Sequence, residues 1–106
     1  QTSKPTDSLV FSLQTGNTLK AISLLKKMHV DTVLNEFNDT ALHYSCHIGI
    51  IEVITWLLKN GANVNAKNTM GWTPIDIAYS NHQDEVVRML EEAGGVLSMD
   101  VERAFD

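Results

Sequence analysis

The chain has 106 residues, 43% of them hydrophobic and 20% charged, the composition of one soluble globular domain and not of a disordered chain. A formal net charge of −5 offers no basic footprint for phosphate, which argues against nucleic acid or another polyanion as the ligand. The lone cysteine, Cys46, excludes an internal disulfide framework and fits the cytoplasm or another reducing compartment, while no apolar run approaches the ~18 residues of a membrane span, so no membrane insertion is expected.

Taken in chain order, the N-terminal "QTSKPTDS" lacks the charged-then-apolar pattern of a secretory signal, and a chain that opens on Gln1 instead of Met is compatible with a fragment of a longer protein or with a trimmed one. Val10, Phe11 and Leu13 belong to a first helix that is expected to cover one end of the molecule. After "TGN" a second helix carries Ala21, Ile22, Leu24 and Leu25 at helical spacing. Thr40 then stands where its side-chain oxygen can accept from an unpaired amide in the first turn of a third helix. Gly49 supplies the positive φ that a chain leaving a helix commonly needs. A fourth helix presents Val53, Ile54, Leu57 and Leu58 on one face, with Trp56 adding bulk toward a neighbour, and Gly61 ends it. Thr73 repeats the cap, Pro74 takes the first helical position, where its missing N–H costs nothing, and Asp76 completes a capping-box spacing. His82 stands in the place of Gly49, a replacement that histidine tolerates at positive φ with some loss of stability. In the last helix Leu58 has become Glu91, and Arg88, Glu91 and Glu92 make a polar outer surface.

These elements repeat. The interval from Thr40 to Thr73 also pairs Leu42 with Ile75, Ser45 with Ala78, Glu52-Val53-Ile54 with Glu85-Val86-Val87, Leu57 with Leu90 and Gly61 with Gly94. A fixed period of this size marks stacked units, none of which buries its apolar face alone. Three units are read, over 7–34, 35–67 and 68–95, with a C-terminal capping tail at 96–106, all within one domain. The first is the weakest copy: Leu25 in the place of Leu57 shortens the period by one and gives the better apolar pattern, whereas Leu24 keeps the period and aligns Gly16 with Gly49.

The middle unit, "NEFNDTALHYSCHIGIIEVITWLLKNGANVNAK", resembles the ankyrin repeat at "TALH", Gly49, "EVITWLL" and "NGANVNA"; "GWTP", "DEVVRML" and "AGG" mark a second copy. The resemblance implies an all-α ankyrin-repeat solenoid of stacked helix-turn-helix units joined by β-turn loops. It also implies that His43 is a buried structural residue whose ring bonds the backbone of the adjacent turn, a pattern from which Asp76 departs. In that family the turn tips and the exposed side of the first helices form a concave face that binds other proteins. Carried over, the face comprises Glu36, Phe37, Asp39, His47 and Ile48, with Thr69, Met70, Trp72, Ser80 and Asn81 as their counterparts. Phe37, Met70, Trp72 and Ile48 would make an exposed apolar patch of the kind that marks partner sites.

The stretch "HYSCH" puts His43, Cys46 and His47 on one helical face, a spacing open to metal ligation or a Cys–His pair. The alternative reading gives His43 to the "TALH" signature and Cys46 to packing, leaving His47 alone with no further ligand nearby in sequence. No catalytic constellation, cofactor or metal site is therefore expected. The tail places Leu97, Val101, Ala104 and Phe105 at partial helical spacing, either capping the stack or opening a linker. The expected function is a non-enzymatic protein-interaction module, a monomer or part of a hetero-complex. The rivals are a regulatory or targeting domain of a longer, enzymatic chain and a metal-dependent enzyme using "HYSCH".

Overall fold

Capping chemistry starts the inner helices. Thr40, with extended backbone, accepts the His43 amide on its hydroxyl, and the His43 ring accepts the Thr40 amide in return. Thr73 and Asp76 repeat that exchange, the Asp76 carboxylate accepting the Thr73 amide at 2.8 Å. Each exchange satisfies two amides that the helix itself leaves without partners.

The computed structural model describes residues 5–96, so the tail residues Leu97, Val101, Ala104 and Phe105 lie outside the described residues. Six helices follow one another: α1 (Pro5–Gln14), α2 (Thr18–Leu25), α3 (Ala41–Ile48), α4 (Ile51–Lys59), α5 (Pro74–Ser80) and α6 (Asp84–Glu92). They pair as α1–α2, α3–α4 and α5–α6, and the pairs stack so that α1, α3 and α5 form one row while α2 packs on α4 in a second. Among the described residues there is no strand, only an isolated antiparallel bridge between Val33 and Thr40.

Stacking follows from side chains that recur at the sequence period. Leu9, Leu42 and Ile75 are all buried, as are the small residues Ser12, Ser45 and Ala78 that let neighbouring helices approach. Ser12 and Ser45 donate their hydroxyls to the carbonyls of Ser8 and Ala41, which satisfies both groups inside the core. The second helices contribute Leu25, Leu57 and Leu90, the shortened period of the first unit included. Gly16 nonetheless has φ 76, matching Gly49 at φ 87, and α2 and α4 both begin just after that glycine, so Leu25 stands one residue further along its helix than Leu57. Leu13 is buried and Val10 packs against the core, but Phe11 is 67% exposed. Phe11 holds the register of Tyr44 and Ile77, and the described residues contain no unit on the far side of α1 to cover it.

Candidate protein-binding face

Two short turns lead into α3 and α5, and they are built alike. Asn35 accepts the amides of Phe37 and Asp39 on its side-chain oxygen; one repeat later, Asn68 accepts those of Met70 and Trp72. Each asparagine also accepts, on its main-chain oxygen, the amide three residues on, from Asn38 and from Gly71. Those two residues carry the positive φ that closes the turn, 62 for Asn38 and 80 for Gly71. A short amide side chain thus replaces the ladder partners that so small a loop cannot have.

The turns are tied to each other at three points. The Thr69 amide donates to the Phe37 carbonyl at 2.9 Å, the Asn68 side-chain amide donates to the Asp39 carboxylate at 2.8 Å, and the His43 ring nitrogen Nε2 lies 3.0 Å from the Trp72 carbonyl. A carbonyl only accepts, so Nε2 carries the ring proton and Nδ1 accepts from Thr40. The ring bonds the backbone of the adjacent turn, as the ankyrin resemblance implied, and it is buried.

Main-chain locking leaves the side chains of the turns outward. Phe37 is 53% exposed, Met70 71% and Trp72 38%, while Glu36, Thr69, His47, Ser80 and Asn81 are exposed and Asp39 is half-buried. Ile48 differs from the expectation: it is half-buried and packs against the core, because the chain turns back at Gly49 directly behind it. Of the four apolar residues expected on the face, Phe37, Met70 and Trp72 are thus exposed and Ile48 is not. A groove of about 480 Å³ runs between Trp72, Ile77, Ser80 and Asn81 on one side and Asp39, Tyr44 and His47 on the other. Tyr44 also borders a second hollow lined by Asp7, Val33, Glu36 and Phe37. Tyr44 and the two turn asparagines were not expected from sequence. Asn35 donates to both the Tyr44 hydroxyl and the Asp39 carboxylate, so it links turn to groove wall.

The three residues of "HYSCH" do not form a common centre. Both His43 ring nitrogens are engaged, Cys46 is fully buried, and His47 faces the groove. Burial pushes the Cys46 thiol well above its ordinary range, because a thiolate there would lose its hydration. Among the described residues no group of three His, Cys, Asp or Glu side chains is placed to hold a metal ion. Nor is any described helix long and apolar enough to cross a membrane.

Helix pairs at this period, joined by capped turns and stacked in two rows, define an ankyrin-repeat protein. The family model for ankyrin repeats, in three copies, matches residues 9–100, and the chain belongs to that family. It is similar to the Notch-regulated ankyrin repeat-containing protein of Xenopus laevis, 36% identical over 87 residues that cover 77% of this chain and 76% of the relative. The human protein of the same description is 34% identical with the same coverage. A mitochondrial disaggregase from Bos taurus matches at 38% over 56 residues, 53% of this chain and 8% of that protein.

Proposed function

We propose that this chain is a non-catalytic binding module that holds a partner protein on the concave side formed by the two turns and by α3 and α5. The observation that carries the reading is the division of labour in the turns. Their main chains are fixed by Asn35, Asn68 and His43, while Phe37, Met70 and Trp72 extend exposed beside a groove. Exposed aromatic side chains on a preordered backbone lose little conformational freedom on binding, which makes them suited to anchor an interface. Glu36, Asp39, His47, Thr69, Ser80 and Asn81 form the polar surround of that surface in this reading. The matches support use of such a module both in relatives that this chain largely covers and as a small part of a long protein.

Selection of a displayed library of random dodecapeptides against the wild-type chain, with Trp72→Ala as counter-bait, tests this. Peptides that bind the wild type and lose at least tenfold in affinity for Trp72→Ala are expected. A pool indifferent to Trp72→Ala, or one whose members map to α2, α4 or α6, would overturn the assignment.

A further inference from the structure

Charge is distributed unevenly between the two sides of the stack. The row formed by α1, α3 and α5, together with the turns 35–40 and 68–73, carries Asp7, Glu36, Asp39 and Asp76 but no lysine or arginine among the described residues. Every described cation lies elsewhere: Lys20, Lys59 and Arg88 on the outer helices, and Lys26, Lys27 and Lys67 in the connections. The carboxylates also reach the concave surface. Asp7 and Glu36 are exposed and line the hollow beside Phe37 and Tyr44, and Asp39 lines the groove beside Trp72. Asp39 is held by neutral partners, the side-chain amides of Asn35 at 3.0 Å and Asn68 at 2.8 Å, which orient the carboxylate and leave its charge uncompensated. A negative potential over a surface with exposed aromatic rings attracts cations twice, through the carboxylates and through the ring faces.

From this we infer that the concave face takes a cationic segment of a partner protein: a stretch with lysine or arginine flanking one apolar side chain. The apolar residue would seat against Trp72 and Tyr44, with the flanking cations toward Asp39 on one side and toward Glu36 and Asp7 on the other. An acidic or phosphate-bearing segment is disfavoured by like-charge repulsion along the whole face. The inference rests on the binding reading above and adds to it the chemistry of the occupant.

The same displayed library separates the two. Peptides dependent on Trp72 should be enriched at least twofold in lysine and arginine over the input library and depleted in aspartate and glutamate. Fluorescein-labelled copies should weaken by at least fivefold against the full chain carrying Asp7→Asn and Glu36→Gln. Both substituted positions are exposed, and circular dichroism should confirm an unchanged fold. Affinity should also fall about tenfold or more between about 50 and about 500 mM salt, as surface charge is screened. Trp72-dependent peptides with no enrichment in cations, or with the same affinity for the doubly neutralised variant, would overturn the charge inference and leave the groove assignment standing. Absence of any Trp72-dependent peptide would remove both.

Discussion

Single residues here have separable duties, and Trp72 shows how. Its amide donates to Asn68 and its carbonyl accepts from Asn68 and His43, all through main-chain atoms that an alanine also possesses. Truncating the side chain therefore keeps the turn. Trp72→Ala should cost less than about 1.5 kcal/mol of folding stability, against about 3–5 for a tryptophan in a core, while partner binding weakens by about 2 kcal/mol or more. Denaturation and binding titration on the one variant will check the split; a core-sized stability loss with normal binding by the folded fraction would make Trp72 a brace between turns. Cys46 has the opposite profile, with no exposed surface and no partner chemistry. Because burial raises its pKa, the folded chain retains the thiol proton at pH values where the unfolded chain has released it. Its contribution is thus intact below the unfolded thiol pKa of about 8.5 and declines above it, by up to about 1.4 kcal/mol per pH unit. Cys46→Ala should flatten the alkaline limb of the stability profile relative to wild type, as measured by urea denaturation from about pH 8 to about pH 10.

At the level of elements, what could be read from sequence was whatever depends on neighbours in the chain. Thr40, Thr73, Pro74 and Asp76 act within one helical turn of themselves, so the starts of α3 and α5 were legible. The positive φ at His82, 59, was legible by register with Gly49. The roles of Asn35 and Asn68 were not, because the turn in which each accepts two amides on its side chain has positive φ three positions on, and Asn38 conceals that where Gly71 announces it. Leu9 escapes a reading that aligns the first unit through its second helix, although it stands one full repeat before Leu42. Ile48 looks outward from its position before Gly49; its packing is decided by tertiary contact. His82→Gly should raise stability by about 0.5–1 kcal/mol, the relief of a left-handed side chain partly offset by glycine's greater freedom when unfolded. Thermal melts of the pair would test it, and a lower midpoint for the glycine variant would show that the histidine ring makes a compensating contact. Leu57→Ala, by contrast, empties a fully buried position on α4. The expected loss is about 2–5 kcal/mol, and a denaturation result below about 0.5 kcal/mol would contradict its place between units.

Across the whole molecule, one hydrophobic cluster runs from Leu9 to Leu90 without interruption, and the two turns are joined by the Asn68 amide on Asp39 and the His43 ring on the Trp72 carbonyl. Unfolding should consequently be a single cooperative transition. Far-ultraviolet circular dichroism and reactivity of the Cys46 thiol should trace coincident curves in urea, whereas early exposure of the thiol would reveal that the units part in steps. The tethering of the turns has a further meaning for how such a surface changes over time. The shape of the concave side depends on Asn35, Asn68 and His43 and on main-chain atoms. Glu36, Phe37, Thr69 and Met70 contribute side chains to the surface that the turn itself does not require. Form and vocabulary are thus carried by different residues: under the proposed binding role, the tips can be rewritten one at a time to alter which partner fits, while the frame that presents them keeps its bonds.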